Sequence, residues 1–435
     1  MNMIENTKEV REVLMSKVIL SKDSMAWWMW GIASLFYCYQ FILRVCPSVM
    51  ADDWMLAYAV DASSLGIIAA SYYYAYAGMQ VPLGLLMDKL GPRRLLALAG
   101  LVCAIGCLLM ASTRILWLAS IGRFLIGMGA ACGFLGTMKV ATLWFHPSKI
   151  GMIAGLSTAI GTIGGITGQA PLSMLNEVIG WKGSLVVLTA AGVMVGAIIW
   201  LCVRDLPEKN QEKDEELTVS LLEGLSSVLF NPQAWLIAFH GFLMYVPLAA
   251  VADLWGIPFL KSAYGMEEKY AAIMVSFIYI GVIVGGFLLG KFTELFRRKR
   301  TPMLIGALAS LCCYSAIFFI HPLPEWLIYG LLFLGGVFFS TECLCFAAVC
   351  EHLPRQYGGI AVGFTNMIVM MSGVLLQPLI GWLLNVNWDG QMHGNIPYYS
   401  LEAFQKALWI VPVCLLLAAC VLFFIKEKRS ELVHG

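Results

Sequence analysis

A charged turn, GLLMDKLGPRR at residues 84–94, interrupts a long apolar run and divides it into two segments. Gly84 has no side chain and permits close approach of another helix. Asp88 places a carboxylate at the end of the first helix, Gly91 makes the turn, and Pro92 opens the next helix. The pattern predicts two apolar helices joined by a short charged connection.

The same pattern recurs in the second half of the chain. At an offset of 206 residues, GKFTELFRRKR (290–300) follows another apolar run. A second match, at an offset of 208, relates Gly151, Gly155, Gly165 and Gln169 to Gly359, Gly363, Gly373 and Gln377. Two matches at nearly one offset indicate an internal duplication. Duplicated halves are typical of secondary transporters, in which the solute binds between the halves near the midplane.

Composition gives the environment of these helices. Of the 435 residues, 60% are hydrophobic and 13% charged, against about 45–50% and about 25% in soluble domains. The net charge of +1 excludes a basic nucleic-acid surface, and the hydrophobicity excludes disorder. The 13 cysteines lie almost entirely in apolar runs, as small hydrophobic residues do. We therefore expect a bilayer protein with no metal and no cofactor.

The apolar runs predict the number of membrane spans. A spanning helix needs about 20 apolar residues. The predicted spans are 26–49, 64–87, 94–112, 115–144, 150–176, 182–203, 233–259, 268–290, 302–320, 325–350, 357–385 and 402–425. Such long continuous runs are helices, because barrel strands are about ten residues long and alternate in polarity. The fold class predicted is an all-α membrane protein with 12 transmembrane helices in two pseudo-symmetric bundles.

Basic residues predict the orientation of these spans. With the N-terminus inside, 20 Lys and Arg lie in inner segments and four in outer segments. This positive-inside bias predicts that both termini are cytoplasmic, and no signal peptide precedes the first span. The predicted organisation is an N-terminal segment 1–25, a six-helix bundle 26–203, a linker 204–232, a second bundle 233–425 and a tail 426–435.

Over nearly its whole length the chain resembles the major facilitator superfamily. The turn at 84–94 matches the family's loop signature, G-x-x-x-D-[RK]-x-G-x-[RK]-[RK]. The resemblance implies a latch that holds the halves together in the outward-facing state. The residues implied in this latch are Gly84, Asp88, Lys89, Gly91, Arg93 and Arg94, with Glu294 in the second copy. Orientation alone would explain the basic residues but not Asp88 with both glycines, and the second copy departs at Arg297, where the family has glycine.

A second family signature lies in the fourth span, as Arg123-Phe-Leu-Ile-Gly-Met-Gly-Ala-Ala131. The resemblance implies that Arg123 takes part in proton coupling. Arg123 is nine residues from Arg114, so its charge cannot easily reach water. An unpaired charge at such a depth costs at least about 2.5–3.5 kcal/mol. The alternative is a structural arginine that donates to backbone carbonyls.

Two other family patterns are absent. Residues 161–171, GTIGGITGQAP, lack the Gly-Pro pair of the antiporter signature, which favours uptake or facilitated transport over drug efflux. The paired arginines of the nitrate branch in spans two and eight are also missing. We therefore exclude nitrate as the solute.

Span one carries the strongest candidate for solute binding. Tyr37, Gln40 and Arg44 stand at i, i+3 and i+7 and share one helical face. The segment 44–48, RVCPS, resembles the organic-anion/amino-acid uptake branches, which include phagosomal nutrient transporters and lysosomal dipeptide transporters. The resemblance implies that Arg44 binds a carboxylate, a task that suits a guanidinium fork. The alternatives are that Arg44 reaches the outer interface or pairs with an acid at 52–53.

Other polar residues inside the spans complete the candidate site, because polar groups are expensive in lipid. The predicted solute-binding set is Tyr37, Gln40, Arg44, Tyr72, Tyr76, Lys139, Gln169 and Gln377. The two glutamines have the alternative role of bracing the prolines that follow them. Asp253 and Glu342 are the deepest carboxylates and are predicted, with Arg123, to couple transport to protons. Alternatively they are partners for Arg44, Arg123 or a cationic solute, or form a structural pair. A lone helical histidine such as His240 usually packs.

These features predict a secondary active transporter for a small polar organic solute, namely an amino acid, short peptide or organic acid. We expect alternating access driven by proton symport. No nucleophile, metal cluster or phosphate loop supports an enzyme, and no loop is long enough for a receptor domain. The rival functions are passive facilitation and lipid or drug export. The expected partners are the solute, protons and the lipid of a bacterial inner membrane, around a monomer that binds no nucleic acid.

Overall fold

The predicted spans coincide with helices in the computed structural model, which describes residues 22–205, 221–296 and 298–427. The first half contains α1 (Lys22–Val49), α2 (Ala51–Tyr58), α3 (Ala62–Ser112), α4 (Leu116–Ala130), α5 (Cys132–Trp144), α6 (Ile150–Thr167) and α7 (Ala170–Cys202). The second half contains α8 (Leu221–Leu229), α9 (Pro232–Val246), α10 (Gly256–Tyr264), α11 (Glu268–Phe296), α12 (Arg300–Phe319), α13 (Glu325–Phe339), α14 (Leu344–Glu351), α15 (Gly358–Val386), α16 (Leu401–Leu408) and α17 (Ile410–Val421).

Shorter elements connect these helices. A π-helical segment, Pro247–Trp255, joins α9 to α10. Short 3-10 helices lie at Pro147–Lys149, Ser340–Cys343, Arg355–Tyr357 and Leu422–Phe424. Two strands, β1 (Met392–His393) and β2 (Ile396–Pro397), pair antiparallel, with Met392 opposite Pro397. They lie in the connection between α15 and α16.

Local sequence signals set several of the helix limits. The side chain of Asp61 caps α3 by accepting a hydrogen bond from the backbone N–H of Ser64 at 2.8 Å. Asn231 caps α9 in the same way, and Pro232 occupies the first helical position. Gly91 within α3 and Gly180 within α7 have φ of 74° and 70°. Since glycine adopts this region without strain, each break divides one long helix into two spans.

The breaks at Gly91 and Gly180 affect how many membrane spans are counted. In the described part of the chain, ten stretches are long and apolar enough to cross a membrane, or up to 11 if the bent pair Ala51–Tyr58 and Ala62–Gln80 forms one span. One of these stretches, Pro147–Cys202, has 56 residues and contains two of the predicted spans on either side of Gly180. The prediction of an all-α membrane protein is confirmed.

The predicted boundaries of the bundles are close to the helix ends, with one addition. Helix α8 lies inside the predicted linker 204–232 and packs on α15, since a Cβ on Gly224 would lie 2.2 Å from Cδ1 of Ile360. The remaining predicted N-terminal segment, linker and tail fall largely on residues 1–21, 206–220 and 428–435, outside the described residues. Arg297 is also outside them.

Polar contacts between the two halves are found at one end of the bundle. We call the end with the turn at 84–94 the loop end, and the end with β1 and β2 the hairpin end. At the hairpin end Lys261 Nζ lies 2.5 Å from Asp52 Oδ2. Asn385 Nδ2 donates to Asp61 Oδ2 at 2.6 Å in the same region. Each of these contacts joins the first half to the second.

At the loop end, the described polar contacts stay within one half. Arg93 donates from its backbone to Asp205 and from Nε to the carbonyl of Trp200. Lys299 Nζ lies 2.6 Å from Glu351 Oε1, both in the second half. These contacts stay within their own halves, and no described atom of another helix lies within 4 Å of the Cβ positions of Gly155 in the first half and Gly363 in the second. The structure is therefore closed at the hairpin end and separated at the loop end.

The internal repeat is visible in the packing between the halves. Gly165 in α6 lies against the ring of Tyr279, where a Cβ would come within 2.8 Å. Gly373 in α15 lies in the same way against the ring of Tyr73, at 2.5 Å. The glycines are related by the offset of 208 and the tyrosines by 206. Each half thus receives an aromatic ring of the other at an equivalent glycine.

Candidate solute-binding site between the halves

A proline in α1 leaves one backbone carbonyl of the site without its helical hydrogen-bond donor. Pro47 has no N–H, so the carbonyl of Leu43, four residues earlier, lacks its helical hydrogen bond. Arg123 of α4 supplies the missing donor: Nη1 donates to the Leu43 carbonyl and Nη2 to the Arg44 carbonyl, the latter at 2.6 Å. Arg123 is 1% exposed. These contacts favour the structural alternative for Arg123, and its coupling role stays a prediction.

Arg44 faces the other half of the protein. Its side chain is 3% exposed. Nη1 donates to the hydroxyl of Tyr245 at 2.6 Å and Nε to the hydroxyl of Tyr72 at 3.3 Å. The guanidinium carbon lies 4.6 Å from the centre of the Phe41 ring and 5.2 Å from that of Tyr76. Arg44 thus occupies an aromatic box and makes none of the described ion pairs.

Asp52 and Asp53, the alternative partners of Arg44, make contacts with other residues. Asp52 pairs with Lys261, and Asp53 accepts from Nδ2 of Asn176 at 2.8 Å. The alternative of an Arg44 ion pair with either acid is therefore wrong for this conformation. In the described structure the guanidinium contacts aromatic faces and neutral hydroxyl groups, with no carboxylate at ion-pair distance.

Gln40 and three predicted tyrosines join Arg44. Tyr72 donates its hydroxyl to Gln40 Oε1 at 2.9 Å, and its ring stacks on Tyr76 at 5.8 Å. Nε2 of Gln40, which is fully buried, has no partner in the described structure. Tyr37 packs against Phe134 with ring centres 5.6 Å apart. The predicted face of α1 and the predicted tyrosines of α3 therefore meet.

Asp253 lies on the π-helical segment and joins the two halves. Its Oδ1 accepts from the hydroxyl of Tyr279 at 2.6 Å, and its Oδ2 accepts from the hydroxyl of Tyr73. Asp253 is fully buried and forms none of the described ion pairs. Tyr73, Tyr279 and Tyr245 are not among the residues predicted from the sequence. The repeat offset of 206 links Tyr73 to Tyr279 and could have identified that pair.

Glu342 stands in the 3-10 helix of the tenth span, Ser340–Cys343. It is 4% exposed, and its Oε1 has no hydrogen-bond partner in the described structure. Its position is linked to Arg44 through Tyr245, whose ring lies 5.7 Å from that of Phe339. Glu342 and Asp253 do not bond to each other, so neither is held in a structural pair among the described contacts.

Gln169 and Gln377 both bind the π-helical segment. Gln169 Nε2 donates to the carbonyl of Ala252 at 2.7 Å, and Gln377 Nε2 to that of Ala249 at 2.8 Å. These contacts favour the bracing role in this conformation, and solute binding by the glutamines stays a prediction. His240 bonds through Nδ1 to the carbonyl of Ala418 at 2.9 Å, as a packing histidine does.

The remaining candidates lie toward the loop end. Lys139 is half-buried on α5, five residues before its end at Trp144. Arg93 lies over the ring of Trp200 in its own half, at 5.0 Å. Lys89 and Arg94 are exposed, whereas the side chains of Asp88 and Glu294 lie outside the described ones. In the described ranges no group of three His, Cys, Asp or Glu side chains could hold a metal ion.

Comparison with known proteins gives consistent results. Residues 28–378 match the family model described as Major Facilitator Superfamily. The chain is 24% identical to the probable sulfoacetate transporter SauU of Cupriavidus necator, over 81% of this chain and 86% of that protein. It is 22% identical to the probable galactarate/D-glucarate transporter GudP of Bacillus subtilis, over 89% and 91%.

Solved structures show the same fold. A bacterial homologue of the human lysosomal transporter Spinster, in an inward-facing and unoccupied conformation, superposes with a TM-score of 0.73 at 17% identity and covers 92% of this chain and 97% of its own. The nucleoside transporter NupG superposes with a TM-score of 0.72 at 15% identity, over 92% and 98%.

Proposed function

We propose, from the premise that the chain belongs to the major facilitator superfamily, that it imports a carboxylate-bearing metabolite by proton symport. The family and the relatives are transporters, so the chain is a transporter of a small organic solute and not an enzyme. The proposed solute is an amino acid, a short peptide or an organic acid.

Arg44 carries this proposal. It is buried between the halves, bonded to neutral hydroxyl groups and surrounded by aromatic rings. A buried charge without an ion-pair contact is unfavourable, so an anionic group on the solute would gain affinity by supplying that contact. The relatives SauU and GudP are described as probable transporters of anions. The resemblance of residues 44–48 to the organic-anion/amino-acid uptake branches supports the same class.

Asp253 and Glu342 support the proton-coupling part. Both are buried carboxyl groups in a lipid-spanning region, and neither has a cation within the described ion pairs. Groups of this kind are suited to taking up and releasing a proton during a conformational change. Asp253 also bonds both halves through Tyr73 and Tyr279, so its proton would respond to their separation.

The distribution of basic residues supports a bacterial inner-membrane orientation with both termini in the cytoplasm. In that orientation the loop end faces the cytoplasm. Because the halves are joined at the hairpin end and separate at the loop end, the conformation is inward-facing. We propose that the monomer releases its solute from this state.

Uptake into proteoliposomes would test the proposal. Purified protein is reconstituted, and uptake of amino acids, dipeptides and organic acids is measured with and without an inward proton gradient. Arg44→Gln should reduce uptake of the transported solute at least about tenfold, whereas the matched control Arg114→Gln, at an exposed position, should not. Carboxylate uptake that is unchanged by Arg44→Gln would contradict the assignment.

The gradient separates symport from passive facilitation. We expect an inward proton gradient to accelerate uptake by the unaltered protein. Asp253→Asn and Glu342→Gln should each weaken this acceleration. If uptake by the unaltered protein is indifferent to the gradient, the chain is a passive facilitator and neither carboxylate couples protons.

A further inference from the structure

Buried side-chain atoms without a hydrogen-bond partner in the described structure include four on predicted site residues: Gln40 Nε2, Arg123 Nε, Glu342 Oε1 and Gln377 Oε1. Arg44 uses only Nε and Nη1 in its described hydrogen bonds, which leaves Nη2 available. Buried polar groups are normally satisfied, so unsatisfied ones require an explanation, and a ligand that bonds them would supply one. Gln40 and Arg44 belong to the first half and Glu342 to the second.

Tyr245 connects the two sets of groups across the boundary between the halves. The hydroxyl of Tyr245 in the second half accepts from Arg44, and its ring packs on Phe339. Glu342 follows Phe339 by three residues, about one helical turn toward the loop end. Gln40 also lies one turn toward the loop end from Arg44. Gln40 and Glu342 therefore both lie about one turn toward the loop end from the residues that contact Tyr245.

The charges of the site balance. Arg123 is committed to the carbonyls of Leu43 and Arg44, and Lys139 lies near the loop end of α5. Asp253 accepts from two tyrosines. The positive charges of Arg44 and Arg123 therefore stand against the negative charges of Asp253 and Glu342 in the buried region between the halves. A dianion would leave this region with a surplus of negative charge away from water, which is strongly unfavourable.

From these observations, and resting on the proposed function, we infer that the solute is amphoteric, with one carboxylate and one ammonium group, as in a neutral α-amino acid. Its carboxylate binds Arg44 Nη2 and Gln40 Nε2 in the first half. Its ammonium group binds Glu342 in the second half. Such a solute satisfies all three groups without adding net charge. Because it bridges the halves, it also binds more tightly when they close, which is the condition for driving that change.

Binding selectivity would test this inference in the full-length protein. Thermal stabilisation and competition for uptake are measured with L-leucine, its des-amino analogue 4-methylpentanoate, its decarboxylated analogue isopentylamine, sulfoacetate and D-glucarate, and the screen is repeated for other neutral amino acids. At least one amino acid should bind about tenfold or more tightly than both of its analogues. The dianions should not compete.

Variants of Glu342 provide the sharper comparison. Glu342→Gln should remove the preference for the amino acid over its des-amino analogue, while Glu342→Asp should keep it. The control Glu325→Gln, exposed at the start of the same span, should behave like the unaltered protein. Unfolding midpoints of all variants identify any that fail to fold, and Glu342→Asp decides the result if Glu342→Gln does not fold.

The outcomes distinguish this inference from the proposed function. If the unaltered protein carries sulfoacetate or D-glucarate in preference to every amino acid, the solute is not amphoteric, although the transporter of carboxylates stands. The same conclusion follows if Glu342→Gln keeps the full preference for the ammonium group. If no carboxylate of any kind is bound or carried, the proposed function itself fails.

Discussion

Arg123 shows how a single residue can carry a charge inside a lipid-spanning helix without an acid as its partner. Its guanidinium donates to two carbonyls of α1 beside Pro47. The proline creates an unsatisfied carbonyl at Leu43, and the arginine satisfies it. Each group therefore compensates for the other, and together they fix α4 against α1 directly behind Arg44. Arg44, the residue proposed to bind the solute, therefore depends on Arg123 for its position.

This pairing leads to a prediction about stability. Arg123→Gln leaves the buried carbonyl of Leu43 without its strong donor and should lower the free energy of unfolding by about 1–3 kcal/mol. Pro47→Ala restores the N–H that bonds Leu43, so the same Arg123→Gln change should cost less in that background. Unfolding of the four proteins of this double-mutant cycle in detergent measures the coupling. Equal losses in both backgrounds would mean that Arg123 stabilises the protein by some other contact.

At the scale of single residues, the sequence could predict part of the site. Tyr37, Gln40 and Arg44 share a face of one helix, and that periodicity is local. Tyr245 could not be predicted, because its meeting with Arg44 depends on how two halves pack. The pairing of Tyr73 with Asp253 has the same non-local origin.

Among the elements, the π-helical segment of the second half has a counterpart in the first. Ala51-Asp-Asp-Trp54 resembles Ala252-Asp-Leu-Trp255, and a proline precedes each. Three residues separate Pro47 from Ala51, whereas four separate Pro247 from Ala252. One extra residue is what a π-helix accommodates, and such bulges are frequent at functional sites. Asp52 reaches Lys261 near the surface, whereas Asp253 is fully buried between tyrosines.

Deletion of the extra residue would test this role. Removing Ala250 should let the segment become α-helical and turn Asp253 by about 100° relative to the residues before it. Its contacts with Tyr73 and Tyr279 would be lost. We expect transport to lose its dependence on the proton gradient, with the protein still monodisperse in detergent.

The substitution Ala250→Gly keeps the number of residues and serves as the control, which should retain the gradient dependence. If the deletion variant transports with an unaltered response to the gradient, the extra residue does not position Asp253.

In the whole molecule, the fold could be predicted but its conformation could not. Apolar length and charged turns locate the spans, because lipid permits few solutions for the backbone. The choice between inward and outward states depends on small differences in contacts between the halves. The positions of the chain's glycines nevertheless indicate which surfaces approach each other in each state.

These glycines fall into two groups at opposite ends of the molecule. At the hairpin end, a Cβ on Gly66 would lie 2.5 Å from the carbonyl oxygen of Gln377, and one on Gly381 would lie 2.2 Å from that of Ala62. At the loop end, six repeat-related glycines have no atom within 4 Å of a Cβ: Gly84, Gly151, Gly155, Gly290, Gly359 and Gly363. The close approach predicted for Gly84 is therefore not formed with any described residue in this state. It remains the prediction for the opposite state, in which the latch at 84–94 would close.

Substitutions in the two groups should therefore trap opposite states. Gly155→Leu or Gly363→Leu fills open space here, so it should leave this conformation stable and block closure of the loop end. Gly381→Ala would meet backbone, which cannot move aside, and should favour separation of the hairpin end. Spin labels at the exposed positions of Leu56 and Val386 report that separation as a distance. Gly155→Leu should keep the distance short and abolish uptake, whereas Gly381→Ala should lengthen it; the same distance in both variants would mean that these glycines do not select between the two states.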